Sequence, residues 1–367
     1  MTANFLSALG GNRPAVTPVW FMRQAGRSLP EYRKVRAGTS MLEACLIPEL
    51  AAEITAQPVR RYGVDAAIFF SDITVPMKLA GVPVEIVPGV GPVMEQPYRC
   101  AKDVKELIAH KPGDGTAVTQ GVQLAVAELS VPVLAFAGAP FTMAAYLVEG
   151  RPSRDHLAAR TMMYAEPELW YALVDWCAEI SIAFLQAQKA GGACAFQLFD
   201  SWAGALAPAI YRKYCAPAAQ KILTADLGLP RIHFGLGTAA LLPDFAQHAE
   251  VVGIDYRTDI AAAIAQLRKS FPDKKVVVQG NIDPAILGCR SEVVESHVAQ
   301  ILTAGLAADA HIVNLGHGVP KDTDPAVLAD IVAQVHEFSA VSPVSGAPGV
   351  SSLSSVPPVP SKEVHRG

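Results

Sequence analysis

Arg23 and Arg27 stand four residues apart in Met22-Arg23-Gln24-Ala25-Gly26-Arg27. A helical turn would place both guanidiniums on one face, each a planar fork matched to a carboxylate or phosphate. Gly26 lacks a Cβ and lets the backbone approach a ligand closely. The competing reading is a surface ion pair, with Glu31 and Glu43 as the nearby acids. The arginines sit just past an apolar run, and that position favours the anion clamp. Asp72 follows another apolar run, Ala66-Ala67-Ile68-Phe69-Phe70, where a carboxylate is either a helix N-cap or a functional anion. His317, flanked by Gly316 and Gly318, is either a turn residue or a polar group presented by a loop. Ser201 has no G-x-S-x-G around it, so a nucleophile elbow is not indicated.

These groups need a scaffold that brings them together. Short apolar, β-branched runs predict strands at 18–22, 66–71, 131–137, 195–199, 231–235, 251–255, 276–279 and 312–315. Helical patterns lie between them at 47–62, 115–129, 154–190, 208–227, 239–249, 259–271, 292–308 and 325–338. Such alternation predicts an α/β fold, a single-domain (β/α)8 TIM barrel over residues 1–340. The Val-, Pro- and Gly-rich stretch 82–94 reads as a hairpin-like excursion. A doubly wound open sheet is the rival architecture, but no GxGxxG follows the first strand.

A TIM-barrel active site lies at the C-terminal ends of the strands. In this chain those ends are polar: Arg23, Gln24 and Arg27, then Asp72, then Thr142 leading to Tyr146 and Glu149. Ser201, His233, Asp255, Asn281, Asn314 and His317 continue the series. Any one of them can be a capping or loop residue, but chance accounts poorly for all of them at the same end.

The chain has 367 residues, 51% hydrophobic and 17% charged, enough to bury a large core. Its net charge of −4 argues against a nucleic-acid scaffold. An anionic ligand would therefore be held by local arginines and not by the overall field. The N-terminus shows no secretory signal, and no run approaches the length of a membrane span. The six scattered cysteines form neither a CxxC nor a His/Cys cluster, so buried free thiols in a reducing cytoplasm are expected. From about Ala340 the composition turns to Ser, Pro, Gly and Val, predicting a disordered tail over 341–367.

The stretch Pro18-Val19-Trp20-Phe21-Met22-Arg23-Gln24-Ala25-Gly26-Arg27-Ser28-Leu29-Pro30-Glu31-Tyr32 resembles the N-terminal signature of the uroporphyrinogen decarboxylases. Phe70-Ser71-Asp72-Ile73, Gly138-Ala139-Pro140-Phe141-Thr142 through Tyr146 to Gly150, and Gln197-Leu198-Phe199-Asp200-Ser201-Trp202 resemble the same family in order. So do Gln279-Gly280-Asn281-Ile282-Asp283-Pro284 and Asn314-Leu315-Gly316-His317-Gly318. The resemblance implies a homodimeric barrel that uses neither metal nor organic cofactor and removes carbon dioxide from the acetate arms of uroporphyrinogen. It also implies that Arg23 and Arg27 bind substrate carboxylates, with Gln24, Ala25 and Gly26 lining the same loop. Asp72 would accept the pyrrole N–H groups, while Tyr146, Ser201 and His317 would contact the periphery. Arg23 and Asp72 are the implied catalytic groups; a bound water or His317 is the alternative proton donor to Arg23.

Two rivals are weighed against this reading. A zinc-dependent corrinoid methyltransferase would need a His-x-Cys pair and a second Cys, whereas His233 is followed by Phe234 and Gly235. A non-catalytic tetrapyrrole carrier would need the arginines but not Asp72.

Overall fold

The computed structural model describes residues 2–26 and 28–338, with the side chains from residue 4 onward. Arg27 and the expected disordered tail lie outside the described residues. The strands are β1 (Ala67–Ile68), β2 (Val84–Val87), β3 (Gly91–Met94), β4 (Val133–Gly138), β5 (Ala195–Asp200), β6 (Arg231–Gly235), β7 (Val251–Gly253), β8 (Val277–Gln279) and β9 (Ala310–Ile312). Seven of them form one parallel sheet in the order β1-β4-β5-β6-β7-β8-β9. Each pairs with the next in sequence once the β2–β3 hairpin is set aside, which is the pattern of right-handed β/α units laid side by side. Strands β4 and β8 are buried at every position, as befits a parallel sheet packed on both faces. The excursion at 82–94 is an antiparallel hairpin, Val84 opposite Met94.

The strand expected at 18–22 is reduced to one parallel bridge, Val19 with Val313. Proline at 18 has no N–H to give, and side chains claim most of the donors that follow. The Val19 N–H goes to Asp65, the Phe21 N–H to Gln24 and the Met22 N–H to Asn314. Backbone pairing survives as Trp20 N–H to Val313 O, Val313 N–H to Pro18 O, Asp65 N–H to Val19 O and Val319 N–H to Met22 O. This segment therefore lies between the residues after β9 and those before β1. The expected strand at 66–71 is shortened for the same reason: the Phe70 N–H turns to the Thr55 hydroxyl. The last strand comes earlier than expected, at Ala310–Ile312, and Leu315 instead bridges Ile282.

Two expected helices are broken by prolines. The segment 154–190 divides into Leu157–Ala165 and Pro167–Ala190, with Glu166 pushed out of helical geometry ahead of Pro167. The segment 208–227 divides at Cys215 into Pro208–Tyr214 and Ala216–Leu223, with Pro217 in the first turn of the second. The sequence reading had no helix at Pro140–Glu149, which carries Tyr146; Pro140 opens it and Gly150, at φ 78°, closes it. All six cysteines are free, but Cys100 and Cys289 are exposed, so burial holds only for part of the set. Among the described residues no helix is long and apolar enough to cross a membrane.

Inside the sheet the core is not wholly apolar. The Trp20 indole N–H donates to Gln279, which donates to Gln197, whose amide in turn faces the Met22 sulfur, all of them buried. This relay ties the irregular first segment to β8 and β5, so the arginine loop leaves a fixed base.

Candidate active site at the C-terminal ends of the strands

Gln24 decides the shape of the arginine loop. It is fully buried; its carbonyl accepts the Phe21 N–H and its amide donates to Ala66 O, beside β1. The side chain is thus spent on anchoring, and its service to a ligand is to hold the neighbouring residues. Arg23 stands beside it, exposed, at φ 60°. A left-handed backbone at a long side chain costs energy, of order 1–3 kcal/mol, and such residues gather at functional sites. The surface ion-pair reading fails for Arg23, because Glu31 is taken by Arg61 and Glu43 closes a capping box with Ser40. The stem of Arg23 instead lies against Gly318, where any Cβ would fall 2.5 Å from the arginine Cδ. Ala25 and Gly26 are half-buried in the same loop.

Asp72 reconciles the two readings offered for it. Its Oδ1 accepts both the Thr74 N–H at 2.9 Å and the Thr74 hydroxyl at 2.6 Å, so the carboxylate does cap the turn. Both bonds fall on one oxygen. Oδ2 is left with neither, on a half-buried carboxylate whose plane is fixed. Tyr146 and Cys45 both feel this charge: burial first, then Asp72, pushes each acidic proton well above its usual range. The Tyr146 phenol accordingly stays protonated and available as a donor.

Tyr146 stacks on Trp202 with ring centroids 4.1 Å apart, and Trp202 stacks in turn on His156 at 4.4 Å. Ser201 precedes that tryptophan in the turn after β5, half-exposed. The turn is pinned from below, since Thr142 accepts the Trp202 N–H and donates to buried Asp200. His317 is half-buried, and its Nδ1 accepts the Gly318 N–H at 2.6 Å. Burial, then the positive charge of Arg23, lowers its pKa below the ordinary value. The ring is therefore neutral at neutral pH, and with Nδ1 occupied as an acceptor its proton sits on Nε2 as a hydrogen-bond donor.

Arg23, His317 and Gly318 are in one another's reach, and Tyr146 senses both Arg23 and Asp72. A cavity of about 480 Å³ is lined by Tyr32, Arg36, Thr39 and Lys321 among others, and by none of Arg23, Asp72, Tyr146, Ser201 and His317. Tyr32 meets Phe70, two residues ahead of Asp72, edge-on at 5.7 Å. Sequence reasoning missed the supporting contacts: the Trp202 stack, the Thr74 clamp and the glutamine relay. Only the relay left a signal, a lone Gln197 inside an apolar strand.

A parallel β/α scaffold with Arg23, a fixed carboxylate and neutral donors at one end of its sheet fits the class of enzymes that act on acidic small molecules. Residues 2–338 match the family described as uroporphyrinogen decarboxylase (URO-D), and the chain belongs to that family. The uroporphyrinogen decarboxylase of Arthrobacter sp. (strain FB24) is 53% identical over 338 residues, covering 91% of this chain and 96% of that one. The Nocardia farcinica protein of the same name is 52% identical over 345 residues, covering 92% and 96%. Among solved structures, a methyltransferase from Methanosarcina mazei superposes with a TM-score of 0.75 at 18% identity, covering 92% of this chain and 99% of that one. At that identity the likeness shows the fold alone.

Proposed function

We propose that this chain decarboxylates the four acetate arms of uroporphyrinogen III to methyl groups, giving coproporphyrinogen III in porphyrin biosynthesis. Family membership over residues 2–338 carries the reading. An acetate on a pyrrole cannot release carbon dioxide unless the bond's electron pair has somewhere to go. Protonation at the adjacent pyrrole α-carbon makes a cationic ring that accepts the pair, so the substrate supplies its own electron sink and no organic cofactor or metal is required. Carbon dioxide then leaves to give an exocyclic methylene, a proton added to that carbon completes the methyl group, and loss of the α-proton restores the aromatic ring.

In this scheme Asp72 accepts the pyrrole N–H groups through Oδ2 and stabilises the cation. A charge already oriented in a partly desolvated site is usually a large catalytic contribution. Arg23 and Arg27 hold the acidic arms, with Ala25, Gly26 and the Gln24 anchor shaping the loop. Tyr146, Ser201 and His317 donate to the periphery. His317 serves as a donor and not as a proton source, because the neutral ring would have to surrender Nε2–H as a very weak acid. A guanidinium, with a pKa above about 12, is equally poor at the task, so the proton is drawn from solvent hydronium and passed to the ring through a water held by these groups.

The Val19–Val313 bridge and the Asp65–Val19 bond support reading the seven-stranded sheet as closed by an eighth, irregular strand, in effect a (β/α)8 barrel. Among the described residues no three His, Cys, Asp or Glu side chains converge as metal ligands would. We also take the active form to be a cytoplasmic homodimer, on the strength of family membership; sedimentation equilibrium should return twice the 38.8 kDa subunit mass. The deciding experiment is an anaerobic assay of the purified protein with uroporphyrinogen, following loss of carboxyl groups by chromatography. Absence of decarboxylated products from active-quality protein would leave the non-catalytic carrier as the better reading.

A further inference from the structure

We propose that Arg257 is an additional substrate-binding residue, a cation that meets an acidic arm of the tetrapyrrole beside His317; this rests on the function proposed above. Arg257 follows the end of β7, at the same end of the sheet as Arg23 and Asp72. Its guanidinium is exposed, lies over the Tyr256 ring at 5.4 Å and donates through Nε to the Tyr256 hydroxyl at 3.2 Å. Tyr256 is itself fixed: its N–H donates to Gly316 O, and its backbone occupies the space that a Cβ on Gly316 would need. The Gly316-His317-Gly318 turn is thus flanked by two arginine-bearing segments. Arg23 lies against Gly318, and Tyr256, with Arg257 over its ring, lies against Gly316.

On the other side, Arg257 Nη1 is 3.5 Å from where a Cβ on Gly237 would stand, so the loop after β6 borders it as well. Of the two acids nearest in sequence, Asp259 accepts the Ala262 N–H through Oδ1 and caps the next helix. Asp255 is buried, with one oxygen bonded to the Gly237 N–H and the other to the Thr258 hydroxyl, each at 2.6 Å. Among the described residues Arg257 has no carboxylate within ion-pair distance. An unneutralised guanidinium held in a fixed direction is a preorganised carboxylate contact. In a chain of net charge −4 such local cations must do the work of attracting a polyanion. The lowered pKa of His317, to which Arg257 contributes, agrees with this placement.

The alternative is that Arg257 merely braces Tyr256. The two separate in a titration with uroporphyrin, the oxidised, unreactive tetrapyrrole with the same acidic arms, followed by tryptophan fluorescence. R257Q should bind about tenfold more weakly than wild type, R257K should fall between them, and added salt should weaken wild type more steeply than R257Q. With uroporphyrinogen the R257Q penalty should fall on KM, with kcat changed by less than about twofold. Equal uroporphyrin affinity of R257Q and wild type overturns the proposal, as does a loss of kcat at unchanged affinity. Because uroporphyrin binding needs no turnover, failure of the wild-type protein to release carbon dioxide would count against the proposed activity and leave the Arg257 titration readable.

Discussion

At the scale of single residues the site depends on groups held with one valence spent and one free. Asp72 is the clearest: Thr74 occupies Oδ1 twice, and the fixed Oδ2 is the oxygen that the proposed mechanism assigns to the pyrrole N–H groups. Replacing Asp72 by Ala removes the cation's partner while leaving the arginines in place. We expect kcat to fall about 10²–10³-fold, with uroporphyrin affinity lowered far less, since losing one preorganised charged partner typically costs roughly 3–4 kcal/mol. An unchanged decarboxylation rate in this variant would sink the cation-stabilising mechanism. Thr74→Val tests the orientation alone, because it deletes the hydroxyl bond and keeps the backbone one. A drop in kcat of about fivefold to tenfold, the size of one ordinary net hydrogen bond, is expected. A variant with wild-type kcat would mean that the clamp serves only the helix turn. Arg27→Ala should act differently from both, raising KM several-fold through loss of a charge-assisted contact while kcat stays within about threefold.

At the scale of elements, the sequence carried what periodicity can carry. Seven of the eight expected strands appear, and the hairpin at Val84–Met94 was legible from its Val, Pro and Gly content. What was missed in the strands has a common cause: side chains taking backbone hydrogen bonds. Gln24, Asp65 and Asn314 each capture an N–H in the first segment, and no local pattern announces capture by a residue as far away as Asn314. Prolines 167 and 217 announced their helix breaks openly and were simply overridden by the long apolar pattern. Of the site, Arg23, Asp72 and His317 were legible because polar residues after apolar strands stand out. The Trp202–Tyr146 stack was not, since it joins two elements through packing alone.

The same scale holds a pH-sensitive fastener. His311 in β9 is buried and bonds through Nε2 to Gly280 O after β8, with Gly305 packed against its ring. Burial lowers its pKa from 6.5 to about 4. Between those values the unfolded chain takes up a proton that the folded protein refuses. The contribution to stability is therefore complete above about pH 6.5 and is lost as pH falls towards about 4, on the order of 3 kcal/mol in all. Urea unfolding at about pH 7.5 and about pH 4.5 should show this loss, and His311→Gln should flatten it relative to wild type. Parallel pH profiles for the two proteins would show that other groups govern the acid limb.

At the scale of the whole molecule, all the machinery argued above lies before residue 338, where the family match also ends. The Arthrobacter relative is covered for 96% of its length and this chain for 91%. The final helix, Pro325–Glu337, has its own reason to stay. Its Leu328, Ile331, Val332 and Val335 are buried, and His336 near its end reaches Asp65 at 2.8 Å. Asp65 also accepts the Val19 N–H, so this helix helps hold the segment that leads to Arg23. Two truncations should then behave very differently. Removal of 341–367 should leave kcat/KM within about twofold of the full chain and the unfolding temperature nearly unchanged, since the family match ends at residue 338. Removal from residue 325 onward exposes a buried apolar face worth several kcal/mol and frees Asp65, so the protein should unfold or lose activity sharply. If the shorter deletion alone abolished turnover, the tail would carry a function that neither the site geometry nor the family match contains.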